Sequence, residues 1–149
     1  MDRYERPFAV RWADCDANGH MRNTAYSEYT IEVRLAFLAE RGFGFDRFQA
    51  LRFGPVLLRE EIDYMHEVRL GEEVTVDLAA TGLSPDGARF RFRHEIRTAR
   101  GKLAARVVIS GGWLDGERRR LMIPPDELRR AMEEMPRGEP FEELPPLRR

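Results

Sequence analysis

Ten residues, 14–23, gather most of the groups in this chain that could do chemistry: Asp14-Cys15-Asp16-Ala17-Asn18-Gly19-His20-Met21-Arg22-Asn23. Asp14, Asp16, Asn18 and Gly19 match the first half of a calcium-binding EF-hand loop. Position 12 of such a loop needs a bidentate glutamate, and Ala25 stands there, so calcium is disfavoured. Asp14, Asp16 and His20 could serve a transition metal. No second histidine follows at ligand spacing, His66 and His94 being far along the chain, and no metal is expected. Cys15 lies between two carboxylates that disfavour its thiolate, which makes it a poor nucleophile. Ser110, beside Gly111-Gly112, lacks the nucleophile-elbow pattern. A carboxylate remains. Asp16 precedes by seven residues a helix start at Asn23, where unpaired backbone N–H groups could polarise a carbonyl. Asn18 and His20 could orient Asp16 or a water. The competing reading is that Asp16, Asn18 and Asn23 only hydrogen-bond the turn, and spacing alone leaves both open.

Positioning such a loop takes a strand before it and a helix after it. Pro7–Trp12 reads as a strand. From Asn23, as N-cap, to Arg41, Tyr26, Ile31, Tyr29, Val33, Leu35, Phe37 and Leu38 give an apolar surface wider than one stripe. Glu28, Glu32, Arg34 and Glu40 take the remaining positions, and Gly42 stops the helix. Residues 43–53 read as an irregular connection. The period then changes to two, with strands over Val56–Tyr64 and Glu73–Leu78, a turn at Ser84–Gly87, and strict alternation in Ala88–Ile96. Arg100-Gly101 turns the chain into Leu103–Ser110, Gly111-Gly112 suggests a bulge, and Pro124–Met135 a short charged helix. His94 alternates with Phe90, Phe92 and Ile96, so it reads as a hydrogen-bonded core residue. The order predicts an α+β fold with one long helix packed on a curved antiparallel sheet.

The chain has 149 residues, room for one domain with a real core. No apolar run approaches the roughly 20 residues needed to cross a bilayer. The charged N-terminal segment does not read as a signal peptide, so a cytoplasmic protein without a membrane partner is expected. With 25 basic and 26 acidic residues there is no global field to recruit nucleic acid. Lys102 is the only lysine, so the basic set is almost all arginine. That is either a compositional bias or a sign that some arginines clamp phosphate or carboxylate. Residues 136–149, rich in proline and charge, are expected to pack loosely as a tail.

The run Asp16-Ala17-Asn18-Gly19-His20-Met21-Arg22-Asn23-Thr24-Ala25-Tyr26, followed by an apolar helix, resembles the hot-dog-fold thioesterases. The similarity is to the branch of 4-hydroxybenzoyl-CoA thioesterase-like and acyl-CoA or acyl-ACP thioesterases, over about residues 6–135. It implies a long central helix wrapped by the sheet, a homodimer or homotetramer with sites at subunit interfaces, and hydrolysis of an acyl thioester without a cofactor. Asp16 then stands in the position of the catalytic carboxylate, as base or nucleophile, with the oxyanion donor near Asn23. Asn18 and His20 complete an Asp-x-Asn-x-His pattern, and Glu67, after Tyr64, matches an additional glutamate. The acyl group would lie against Tyr26 and Tyr29, and Arg89, Arg91 and Arg93 are candidates for the CoA phosphates. A hydratase branch carries Asp-x-Asn-Pro-x-His; here the proline is missing and His20 comes one residue early. A non-catalytic acyl-CoA sensor is the other alternative, and no effector segment is evident.

Overall fold

The computed structural model describes residues 2–147, and its elements follow in chain order. Strand β1 (Glu5–Ala9) leads through a short 3-10 turn (Trp12–Asp14) to helix α1 (Asn23–Glu40) and helix α2 (Phe45–Leu51). Strands β2 (Phe53–Tyr64), β3 (Glu73–Asp77), β4 (Ala79–Leu83), β5 (Arg89–Thr98), β6 (Leu103–Asp115) and β7 (Leu121–Met122) follow. Helix α3 (Asp126–Glu134) and strand β8 (Arg137–Glu143) close the fold. All eight strands form one sheet. β2 pairs only β6, β6 pairs β5, and β5 pairs β3 along one half and β4 along the other. β1 lies antiparallel to β3, and β8 runs parallel to β4.

The alternation read in residues 88–96 is the burial pattern of β5: Phe90, Phe92, His94 and Ile96 are buried, and the arginines between them face the other side. α1 begins and ends within a residue of its expected span, with Gly42 at φ 87° stopping it. Its residues Tyr26, Tyr29, Val33 and Phe37, on one face by helical spacing, are buried with residues of β1, β3 and β6. Ile31 and Leu35, on a neighbouring face, remain exposed.

Several expectations need correction. The first strand ends at Ala9, because the chain bends into the 3-10 turn and leaves Trp12 exposed. Asn23 is the first helical residue, not the cap: Arg22 holds the extended cap conformation. Residues 45–51 form a helix whose Phe48 stacks on Trp113. The bulge lies in β2 at Leu58, opposite Gly111, and not in the glycine pair itself. β6 runs straight through both glycines, and the missing Cβ at Gly111 lets the Val56 carbonyl approach.

Within the tail expected to be loose, Arg137–Glu143 form a strand of the sheet instead, and residues 148–149 lie outside the described residues. β8 is anchored by a half-buried Phe141 against the core, by the Leu144 N–H donating to the Leu83 carbonyl at 3.0 Å, and by the Leu147 N–H donating to Asp86 Oδ2 at 2.9 Å. Local composition cannot report a strand whose stability comes from a distant partner.

Candidate active site

The loop after the 3-10 turn is a miniature hairpin. Cys15 and Met21 form an antiparallel bridge, the Asp16 N–H donates to the His20 carbonyl at 2.8 Å, and Gly19 at φ 75° makes the tip. That positive φ costs most residues energy and glycine little. The Asp16 carboxylate then accepts two backbone N–H groups through one oxygen, Oδ1: from Asn18 at 2.9 Å and from His20 at 3.1 Å. Asp16 and Asn18 are both exposed. The loop is tied to the strand connection after β2 by the Met21 N–H to the Val68 carbonyl and the Leu70 N–H to the Gly19 carbonyl.

Asp14 has a different duty. It is buried, and its carboxylate takes Nε and Nη2 of Arg11 at 3.0 and 2.9 Å and the Tyr29 hydroxyl at 2.7 Å. Hydrogen bonds from Arg11 hold the Asp14 carboxyl well below the usual carboxylate range, and burial with the Asp14 bond pushes the Tyr29 phenol up. The Asp14 carbonyl also receives the Arg22 N–H, so one residue fixes both legs of the hairpin.

Two of the candidate residues, His20 and Glu67, meet beside it. His20 Nε2 lies 3.1 Å from Glu67 Oε2, and Arg69 reaches the other oxygen of Glu67 at 3.1 Å. The Arg69 hydrogen bond and then the charge of His20 lower the Glu67 carboxyl pKa. Glu67 sits in the connection between β2 and β3, not in a strand. Asn23 opens α1, where the first N–H groups have no carbonyl four residues back. Its own carbonyl accepts the Tyr64 hydroxyl at 3.3 Å. The structure thus links Asp16, Asn18, His20 and Glu67 in one set and places Asn23 at the adjoining helix start.

A cavity of about 210 Å³ runs along the partly open face of α1, lined by Ile31, Leu35 and Leu38, by Pro55 and Leu57 of β2, and by Phe90, Phe92 and Trp113. One charged side chain lines it, Arg34. Helix periodicity placed Arg34 among the positions outside the apolar surface. Its place at i+3 from Ile31 and i−4 from Leu38 is the signal that puts it on the apolar stripe instead.

A sequence model of the thioesterase-like superfamily matches residues 10–132. The chain belongs to this superfamily. Membership makes it a thioester hydrolase, and its solved relatives share the hot-dog fold. A Staphylococcus aureus protein solved in complex with CoA superposes with a TM-score of 0.81 at 20% identity, over 91% of this chain and 89% of that one. The 1,4-dihydroxy-2-naphthoyl-CoA thioesterase of Synechocystis gives 0.80 at 19% identity, covering 89% and 96%. The DHNA-CoA thioesterase of Staphylococcus aureus gives 0.80 at 16%, covering 90% and 91%. No curated protein matches the sequence at the significance required.

In this thioesterase-like chain the predicted binding residues are distributed differently from the expectation. Tyr29 is committed to Asp14 and stacks on Phe8 at 4.6 Å, and Tyr26 packs edge-on against Tyr64. Both are buried, and neither lines the cavity. The arginine row is partly covered by β8: Arg91 pairs with Glu142 at 3.1 Å and holds the Thr81 carbonyl, while Arg93 donates to the Glu139 carbonyl. Arg91 and Arg93 are thus engaged by β8, the strand beyond β4 in the sheet, which composition does not announce.

His94 is the core histidine its strand position suggests. Its Nδ1 lies 2.6 Å from the Asp77 carbonyl, which can only accept, so the proton sits on Nδ1 and Nε2 accepts from Arg34 Nη1 at 3.1 Å. Burial and then the neighbouring guanidinium lower its pKa from 6.5 to about 3. The unfolded chain therefore binds a proton at this histidine that the fold excludes. His94 contributes its full stability above pH 6.5 and loses it progressively as pH falls towards 3. Within that window the contribution changes by about 1.4 kcal/mol per pH unit. Urea midpoints measured from pH 6 to 4 are expected to fall more steeply for the parent than for His94→Gln. Parallel slopes would remove His94 as the source.

Proposed function

We propose that this chain is an acyl-CoA thioesterase in which Asp16 is the general base. The observation that carries the reading is the exposed Asp16 carboxylate, fixed through Oδ1 alone, on a rigid hairpin that feeds directly into the start of α1. Oδ2 is left to take a proton from water. A thioester carbonyl seated against the first N–H groups of α1, at Asn23 and Thr24, would be polarised there. The water adds to the carbonyl carbon as its proton passes to Asp16. The tetrahedral intermediate then collapses by breaking the C–S bond, and the thiolate of CoA leaves and takes up a proton. Asn18 and the His20–Glu67 pair orient the water and the loop.

CoA as the carrier is supported by the fold's likeness to a protein solved with CoA bound. Subunit pairing is supported by β2, a 12-residue strand that among the described residues pairs on one side only and exposes Leu57 and Leu58. Long edges left unpaired favour association. In this reading two sheets join at β2 and wrap their helices; a homodimer is the expected unit and a homotetramer an elaboration of it.

The test is a panel of aryl, short-chain and long-chain thioesters of CoA and of acyl carrier protein, read as free thiol. Release from CoA esters is expected. Tight binding of acyl-CoA without release from any ester would support the sensor reading instead.

A further inference from the structure

Arg34 is a charged residue on an otherwise apolar cavity wall, and its charge has no ion-pair partner among the described residues. Nη1 is committed, donating to Thr30 Oγ1 at 3.2 Å and to His94 Nε2 at 3.1 Å. Those two contacts fix the plane of the guanidinium. Glu60, the acid whose charge reaches Arg34, is hydrogen-bonded to Ser27 at 3.0 Å. The Nε and Nη2 edge of Arg34 therefore has no protein acceptor among the described residues. The same edge is what Arg11 uses to grip Asp14, and what Arg106 uses on Glu95.

A half-buried guanidinium with no ion pair of its own, reached only by the charge of Glu60, keeps a desolvation cost that a bound anion would offset. Burial lowers the pKa of Arg34 to about 10, so it still carries its charge at neutral pH. Aliphatic and aromatic walls surround it: Ile31, Leu35, Leu57, Phe90, Phe92 and Trp113. A ligand suited to this wall is an apolar chain ending in one planar anion. A carboxylate meets a guanidinium edge with two parallel hydrogen bonds, whereas a phenol oxygen offers a single atom and a phosphate asks for more donors than one edge supplies.

We propose that Arg34, held in plane by Thr30 and His94, receives a terminal carboxylate on the acyl group, so that the preferred substrates are ω-carboxyacyl thioesters, the half-thioesters of dicarboxylic acids. This rests on the thioesterase reading and narrows its substrate class. Within it Arg34 is a specificity-determining residue and takes no part in bond cleavage.

The experiment compares kcat/KM for ω-carboxyacyl-CoA and plain acyl-CoA esters of matched length, in the parent, Arg34→Met and Arg34→Lys. The parent is expected to favour the carboxylated series by at least about tenfold, the return on one charge-assisted pair. Arg34→Met should abolish the preference, and Arg34→Lys, which keeps the charge without the fork, should retain part of it. Circular dichroism and sedimentation establish that each variant is folded; if Arg34→Met is not, Arg34→Lys carries the comparison. Turnover of plain esters with no preference in the parent, or an equal preference in parent and variants, overturns the inference and leaves the thioesterase reading standing. If no ester is hydrolysed, that reading fails by itself. Calorimetric binding of the free dicarboxylate to the parent then decides the inference: binding lost in the Arg34 variants supports it, and no binding to the parent overturns it.

Discussion

Asp16→Asn is expected to leave a folded protein whose kcat on its thioester is lower by about 10²- to 10⁴-fold, the usual contribution of a positioned base. The variant separates the two duties open to this side chain. Asparagine keeps an Oδ1 that can accept the N–H groups of Asn18 and His20, so the hairpin survives. It loses the second anionic oxygen, and with it the capacity to take a proton from water. Unchanged kcat in Asp16→Asn would mean that Asp16 only holds the turn, and the mechanism would fall. Asp16→Ala removes both duties and should be as inactive, yet still folded, because the legs of the hairpin are fixed independently by Asp14. One turnover in water labelled with heavy oxygen adds a check: a base leaves the label in the product acid and none in Asp16.

The largest stability effect is expected at Gly111. A Cβ placed there would overlap the Val56 carbonyl oxygen and lie 3.0 Å from the ring of Phe90. The first of these is backbone and cannot rotate away. Gly111→Ala must therefore separate β2 from β6 at the bulge, and a loss of about 3 kcal/mol is expected, at the upper end for an overpacked interior. Urea unfolding measures it as a lower midpoint. Gly54→Ala, in the same strand pair but with nothing within 4 Å of its new Cβ, is the control and should change stability by no more than about 0.5 kcal/mol. Equal midpoints for the two variants would contradict the close approach of these strands.

What could be read from the sequence was whatever is periodic or local. The two-residue pattern from Phe90 to Ile96 is buried as read, whereas of the wide apolar surface read on the helix Tyr26, Tyr29, Val33, Phe37 and Leu38 are buried and Ile31 and Leu35 stay exposed. The turn at Gly19 was legible because its hydrogen bonds join near neighbours in sequence; that its legs pair as a hairpin was not. What escaped depends on partners far along the chain. Glu67 reaches His20 only because the connection after β2 folds back on the hairpin. β8 exists because β4 offers it an edge, and covering Arg91 and Arg93 follows from that pairing. Arg34 looks polar in a helical projection, and only the sheet beneath it turns that polarity inward.

The two carboxylates of this hairpin carry opposite burdens. Asp14, out of solvent and clasped by Arg11 and Tyr29, serves as the foundation, while Asp16 stands on it in the open. For protein engineering this makes the hairpin a separable part. Ala17, exposed beside the base, can be randomised to reshape the approach to it while positions 11, 14, 18 and 29 are held constant. A library built on that division would explore new reactivity without drawing on the stability that keeps the scaffold folded.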